Sequence, residues 1–143
     1  MNLRADVVRE RLALVRRNVA ELERLAALGR PAFAANLREQ WAAAYGLQTA
    51  VQALLDAGAH VLSGHFKDAP RDYGEIIPQL AARGVIAAEL AARLAGISGF
   101  RNILVHEYGA VDFALVFDKL ADLGDLEALG GAIERWLASA AAR

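Results

Sequence analysis

Apolar residues recur every three or four positions along almost the whole chain, and no stretch alternates between apolar and polar residues as a strand would. The first such stripe predicts a helix over about residues 3–28. Gly29 and Pro31 end it, since glycine suits a helix C-terminus and proline suits a new first turn. A second, longer helix is predicted over about 31–62, with an apolar face broader than a surface helix needs. Two long helices therefore open the chain.

The middle of the chain predicts shorter helices separated by turn residues. A loop over 63–71 is followed by Asp72 and, three residues later, by Glu75, which is the pattern of a capping box at the start of a short helix. A fourth helix is predicted from about 86 to 106. Two glycines near its end indicate a kink or a close backbone contact there.

Two aspartates predict where the last helices begin. Asp112 is placed as the N-cap of a fifth helix over 113–121, and Asp125 as the N-cap of the final helix. The sum is an all-α, up-down helical bundle of about five to six helices. Because the chain has 143 residues and no low-complexity segment, we expect a single domain over 1–143.

The composition mainly excludes certain classes of protein and certain kinds of site. Apolar residues make up 56% of the chain, enough for a core, yet polar or charged residues interrupt every run before the roughly 18 that a membrane span requires. The first residues lack the layout of a signal peptide. There is no cysteine, which excludes disulfides and thiolate metal sites. We therefore expect a cytoplasmic protein with no membrane segment.

Charge is nearly balanced overall but uneven along the chain. The net charge is −1. Residues 1–38 hold eight arginines against four acids, whereas the chain from residue 107 onward holds seven acids against three bases. This asymmetry leaves room for a local basic surface without requiring one.

The three histidines have different surroundings. His60 and His65 flank the end of the second long helix, where a cation is favourable near the exposed carbonyls, so we interpret them as structural. Two histidines at this spacing, with no cysteine, also make a poor zinc site. His106 stands instead in a cluster of polar residues.

That cluster is the segment RNILVHEY, in which Arg101, Asn102, His106 and Tyr108 fall within eight residues at a predicted helix end. At roughly 100° per residue, Asn102 and His106 share one face and Arg101 and Tyr108 a neighbouring one. These groups suit cleavage of an RNA phosphodiester. Histidine exchanges protons near neutral pH, and arginine stabilises charge on the phosphoryl oxygens. Asn102 is placed to orient the imidazole or the phosphate.

Two further interpretations follow from the same residues. Arg101, Asn102 and His106 would also fit a purely structural role, capping carbonyls or pairing with Glu107 or Asp112. If the cluster is catalytic, one histidine and one arginine make a sparse site, and a two-fold dimer would bring two sets together.

The second long helix favours such a homodimer. Its wide apolar face includes Trp41 and the small residues Ala42, Ala43 and Gly46, and exceeds what a six-helix monomer needs. The shorter helices of the same chain would be the alternative cover for that face.

The cluster resembles the motif R-N-x-x-x-H-x-Y of the HepT-like toxins, a branch of the HEPN group. Every defined position matches, and the surrounding GFRNILVHEYGAVD resembles the typical block of that family. Similarity extends to the upstream segments AVQALLDAGAHVL and DYGEIIPQLAARGVI, and so covers about residues 1–140. Two departures are Gly109, where a polar residue is commoner, and Glu107, which adds a negative charge beside the motif.

The resemblance implies a metal-independent endoribonuclease without a cofactor, acting on tRNA or mRNA as an intracellular toxin. It implies that Arg101 and His106 are catalytic and that Asn102 supports them. It also implies a partner, a minimal nucleotidyltransferase (MntA-like) antitoxin that transfers AMP to Tyr108. An anionic phosphodiester beside Arg101 would occupy the groups that bind the substrate phosphate.

Two other functions compete with this one. The first is a non-catalytic helical module that binds or assists a nucleotidyltransferase, which would form a tight complex and cleave no RNA. The second is a purely structural bundle, which placement of Arg101 and His106 on opposite sides of the dimer would favour.

Overall fold

Residues 2–141 are described by the computed structural model, and they form helices and turns with no β-strand among them. The α-helices, in chain order, are α1 (Ala5–Ala27), α2 (Arg30–Ala34), α3 (Leu37–Gly64), α4 (Ile76–Ala82), α5 (Ala88–Arg93), α6 (Ile97–His106), α7 (Phe113–Lys119) and α8 (Leu123–Ala141). Single 3₁₀ turns lie at Tyr73–Glu75, Tyr108–Ala110 and Leu120–Asp122. Within this described part of the chain six helices have seven residues or more, so the predicted all-α bundle is confirmed.

Helices α1 and α3 run antiparallel and form the frame of the bundle. At one end the backbone N–H of Arg4 donates to Nε2 of His60 at 3.0 Å. Near the other end Gly46 allows a close approach, because a Cβ at this position would lie 3.0 Å from Cδ2 of Leu22. The remaining helices pack around this pair.

The core surrounds α3, which contributes buried residues on several sides. Leu54, Leu55 and Leu62 have no exposed surface, and leucines of α1, α4 and α8 are equally enclosed. Replacing such a leucine with alanine costs about 2–5 kcal/mol, because the cavity left behind adds to the lost hydrophobic transfer energy. Within residues 2–140 no charged side chain is buried.

Two predicted helices are each divided in the structure. The helix predicted over 31–62 breaks after α2, because Oδ1 of Asn36 accepts from the backbone N–H groups of Arg38 and Glu39 at 3.1 and 3.3 Å and so begins α3 as an N-cap. The helix predicted over 86–106 breaks between α5 and α6, next to one of the glycines that indicated a kink.

The predicted capping aspartates have different outcomes. Oδ1 of Asp72 accepts from the backbone N–H of Glu75 at 3.2 Å, and Oδ1 of Asp112 from that of Ala114 at 2.9 Å, as predicted. The prediction for Asp125 is wrong, because the turn before it continues directly into α8, which begins two residues earlier. Its carboxylate instead accepts from Nε of Arg93 at 2.8 Å.

The first two histidines each contact residues elsewhere in the bundle. Nε2 of His60 accepts the hydrogen bond from the backbone N–H of Arg4 at 3.0 Å. His65 follows the last residue of α3 and packs edge-on against Phe66 and Trp136, with ring centroids 4.7 and 4.8 Å apart. Both residues therefore hold the end of α3 against other parts of the bundle.

None of the helices in the described residues combines the length and apolar character needed to cross a membrane.

Candidate functional site

Helix α6 and the turn after it present the sequence cluster. Phe100 and Leu104 are buried and attach α6 to the bundle, which turns Asn102 and His106 toward solvent. His106 is the last residue of α6. Tyr108 begins the following 3₁₀ turn, and 80% of its surface is exposed. The polar groups therefore lie at the open end of a short, well-anchored helix.

Arg101 is half-buried and is held from three sides. Its Nε donates to Oε1 of Gln52 at 2.6 Å, and its Nη1 donates to Oδ1 of Asn102 at 2.9 Å. The guanidinium carbon lies 4.7 Å from the centre of the Tyr73 ring, which places the cation over an aromatic face. Among the described residues no carboxylate lies within 4 Å of this guanidinium, so its charge is not neutralised by an ion pair.

Gln52 of α3 is itself fixed by two neighbours. Its Nε2 donates to Oδ1 of Asp56 at 2.8 Å and lies 3.1 Å from the hydroxyl of Tyr73. Sequence reasoning missed these three residues. The available signal was the polar series Gln48, Gln52 and Asp56, spaced at four residues along α3.

His106 stands apart from the arginine within one chain. Five positions along a helix turn two side chains by roughly 140°, so Arg101 faces α3 whereas His106 faces solvent. No side chain of the described residues forms a hydrogen bond with the His106 ring. Asn102 contacts Arg101 and makes no hydrogen bond with the imidazole. The structure thus joins Arg101 to Asn102 and leaves His106 and Tyr108 open.

The alternative that the cluster merely caps and pairs locally does not describe Arg101. Asp112 is engaged as the N-cap of α7. Glu107 is exposed and forms no ion pair with any described residue. The negative charge beside the motif therefore does not bind the guanidinium.

An exposed apolar strip, formed by Leu37, Trp41 and Tyr45, follows one face of α3. These side chains are 52%, 61% and 68% exposed. Tyr45 lies seven residues before Gln52, so the strip leads along the helix toward Arg101.

The small residues that the sequence assigned to the same face divide differently. Ala42 is exposed, but Ala43 is buried and Gly46 faces α1. Those two positions therefore serve packing within the chain, and only part of the predicted wide face is free.

Comparison with known proteins identifies relatives over nearly the whole chain. The family described as "Ribonuclease HepT-like" matches residues 15–134, a range that contains the entire cluster. The chain is similar to the tRNA nuclease HepT of Aphanizomenon flos-aquae, with 28% identity over 81% of this chain and 79% of the relative.

Solved structures show the same fold. A tri-AMPylated HEPN toxin of Shewanella oneidensis, in complex with an MNT antitoxin, superposes with a TM-score of 0.81 at 23% identity, covering 94% of this chain and 99% of that one. YutE of Bacillus subtilis, a cytosolic protein of unknown function, gives a TM-score of 0.83 at 17% identity, covering 97% and 94%. At these identities the likeness establishes the helical architecture.

Proposed function

Because the chain belongs to the HepT-like ribonuclease family, we propose that it is a toxin subunit that cuts cellular RNA and is silenced by a nucleotidyltransferase antitoxin. Its class is that of a ribonuclease. The relative named as a tRNA nuclease makes tRNA the first substrate to test. The observation that carries the proposal is the Arg101 guanidinium, which hydrogen-bonds to the neutral amides of Gln52 and Asn102 and forms no ion pair with any described residue. It lies on the same short helix, α6, as the solvent-exposed His106.

The proposed chemistry is in-line transesterification. The 2′-oxygen of the ribose forms a bond to phosphorus while the bond to the 5′-oxygen breaks, leaving a 2′,3′-cyclic phosphate and a 5′-hydroxyl. A histidine takes the proton of the 2′-hydroxyl, and a second histidine supplies one to the leaving oxygen. Arg101 stabilises the charge that develops on the non-bridging oxygens, and Asn102 holds the guanidinium in place. No metal takes part in these steps.

Two protomers are needed to supply two histidines, so we place the site in a homodimer. Within one chain the imidazole and guanidinium diverge, which leaves a single protomer without an acid–base pair. The exposed strip of Leu37, Trp41 and Tyr45 leads toward Arg101 and supplies apolar surface for the contact. Such strips are uncommon on surfaces that stay in water.

Control by the antitoxin is proposed to act at Tyr108. The phenolic oxygen bonds to the α-phosphorus of ATP, pyrophosphate leaves, and the phenolic proton is released. The exposure of Tyr108 gives a transferase access to the hydroxyl. The attached AMP places an anionic diester near Arg101, where it competes with the RNA phosphate. In the similar solved structure the toxin is itself AMPylated and bound to its antitoxin.

Expression in cells tests the toxin activity. Wild-type protein produced without a partner should stop growth, and His106→Ala should restore it at equal soluble yield. Normal growth with abundant soluble wild-type protein would contradict the proposal. A tight complex with the transferase, together with no RNA cleavage, would favour a non-catalytic binding module instead.

Intact-mass measurement tests the antitoxin mechanism. Co-expression with an MntA-like nucleotidyltransferase should add one or more AMP units, and Tyr108→Phe should abolish the addition. An unchanged mass of the wild-type chain would contradict control by AMP transfer.

Light scattering tests the dimer. Wild-type protein should be a dimer in dilute solution, and replacing both Trp41 and Tyr45 with arginine should give a folded monomer that no longer cleaves RNA. A wild-type monomer that cleaves RNA would contradict the two-histidine mechanism.

A further inference from the structure

The Arg101 guanidinium is held by a series of hydrogen-bonded side chains that begins on α3. Asp56 of α3 accepts from Nε2 of Gln52 at 2.8 Å, and Oε1 of Gln52 accepts from Nε of Arg101 at 2.6 Å. A glutamine amide has one accepting end and one donating end. Because the Asp56 carboxylate only accepts, it holds the amide with its nitrogen outward from the arginine and its oxygen against Nε.

Tyr73 contacts both Gln52 and the Arg101 guanidinium. Its hydroxyl lies 3.1 Å from Nε2 of Gln52, and its ring lies under the guanidinium, 4.7 Å from the central carbon. The ring therefore supports one face of the guanidinium, and the Gln52 amide holds its Nε. Side chains from α3, from the 3₁₀ turn at Tyr73–Glu75 and from α6 therefore meet at this point.

These contacts leave part of the guanidinium without a hydrogen-bond partner among the described residues. Nε and one N–H of Nη1 are used, whereas both N–H groups of Nη2 are without a partner among the described residues. The remaining N–H groups on Nη1 and Nη2 can donate to oxygens of a phosphate. A fixed side chain loses less freedom when it binds than a mobile one.

The Gln52 amide, as the acceptor of the hydrogen bond from Nε, leaves the positive charge of Arg101 unpaired. An amide oxygen orients Nε without neutralising the cation, whereas a carboxylate at the same place would form an ion pair. The Asp56 carboxylate is separated from Arg101 by the Gln52 amide.

We propose that Gln52 is the positioning residue of Arg101, with Asp56 orienting the amide and Tyr73 supporting one face of the guanidinium. Helix α3 thereby decides the direction in which α6 presents its cation to the phosphate. The catalytic consequence of this inference rests on the proposed ribonuclease function. The hydrogen bond between Gln52 and Arg101 can be measured whether or not the protein cleaves RNA.

Matched variants separate positioning from simple packing. Gln52→Met keeps the length of the side chain and removes the acceptor, while Gln79→Met makes the same change at a half-buried glutamine on α4 that makes no contact with Arg101. With substrate RNA, Gln52→Met should lower kcat by roughly 10–100-fold and change KM by less than about threefold, since misplacing a catalytic group affects the transition state most. Gln79→Met should cleave like the wild type.

A pair of Asp56 variants provides the rescue test. Asp56→Asn retains an acceptor for Nε2 of Gln52 and should keep kcat within about threefold of wild type, whereas Asp56→Leu should resemble Gln52→Met. This pair also carries the test if Gln52→Met does not fold. Equal rates for the Asn and Leu variants, or wild-type kcat in Gln52→Met, would overturn the proposal.

The Arg101 Nε–H resonance gives a readout that needs no cleavage. In wild-type protein and Asp56→Asn it should be a resolved, slowly exchanging NMR signal, and Gln52→Met and Asp56→Leu should lose it. If the wild type cuts no RNA but keeps this signal, the nuclease function fails and the positioning stands. If the wild type cuts RNA while its Nε–H exchanges freely, the positioning fails and the nuclease function stands.

Discussion

Arg83 and Arg101 occupy similar settings with opposite chemistry. Each guanidinium lies over an aromatic ring, Arg83 at 5.2 Å from the centre of Phe66 and Arg101 at 4.7 Å from that of Tyr73. Arg83 donates from Nε and Nη2 to both carboxylate oxygens of Asp68, at 2.8 and 2.6 Å. Arg101 donates only to amide oxygens. The rings are alike, and the accepting groups differ.

The consequence is a difference in available charge. The Arg83 guanidinium lowers the pKa of Asp68 through a hydrogen bond, and the carboxylate in turn raises the pKa of Arg83. Arg30 follows the same structural pattern, since it lies over Phe117 and pairs with Asp118. The charge of each of these two arginines is paired with a carboxylate of the same chain. Arg101 forms no such ion pair, which leaves its charge available for the RNA phosphate in the proposed mechanism.

The largest expected effect separates the two arginines by activity. Arg101→Ala should lower the rate of RNA cleavage by about 10²–10³-fold, because transition-state charge loses its stabilising partner. Arg83→Ala should leave that rate unchanged. The measurement is single-turnover cleavage at saturating protein, with circular dichroism confirming equal helicity. Equal losses in the two variants would remove the distinction between them.

A smaller effect comes from giving Arg101 the acceptor that Arg83 has. Gln52→Glu pairs the guanidinium with a carboxylate and replaces the amide donor to Asp56 with a like charge. It should weaken binding of an uncleavable 2′-O-methyl RNA by roughly tenfold, the worth of one charge-assisted contact. The matched control, Gln79→Glu, adds the same charge elsewhere. Tighter or equal binding by Gln52→Glu would show that the neutral acceptor has no importance.

The smallest effect concerns stability and pH at the other arginine. Asp68→Asn should lower Tm slightly at pH 7, because an exposed ion pair is lost. Since Arg83 holds the folded-state pKa of Asp68 below its ordinary 3.8, the stabilisation is present above that value and disappears as pH falls through the folded pKa. The difference in Tm between the two proteins should therefore shrink as the pH of the thermal melts is lowered from 7 through the folded-state pKa of Asp68. A difference in Tm that is constant with pH would contradict this account.

Local signals in the sequence predicted much of the fold. The caps at Asp72 and Asp112 were predictable because each aspartate accepts from a backbone group only two or three residues away. Asn36 was overlooked, although it is a strong capping residue, because apolar spacing continues across it. Asp125 was misplaced because the preceding turn runs on into α8 without a break.

The site was predictable only as far as it is local. The motif brought Arg101 and Asn102 together as neighbours in sequence, and their side chains do touch. Gln52 is 49 positions from Arg101, and only the packing of α3 against α6 brings the two side chains together. No periodicity within one helix reveals which polar residue of another helix will meet it.

The most direct test of the central claim is single-turnover cleavage of tRNA in the presence of a metal chelator, by wild-type protein and by His106→Ala. The account predicts cleavage by the wild type that leaves 2′,3′-cyclic phosphate ends, and a rate lower by about 10²–10⁴-fold in His106→Ala, the usual contribution of acid–base catalysis. Cleavage that vanishes with the chelator, or that His106→Ala performs at the wild-type rate, would contradict it.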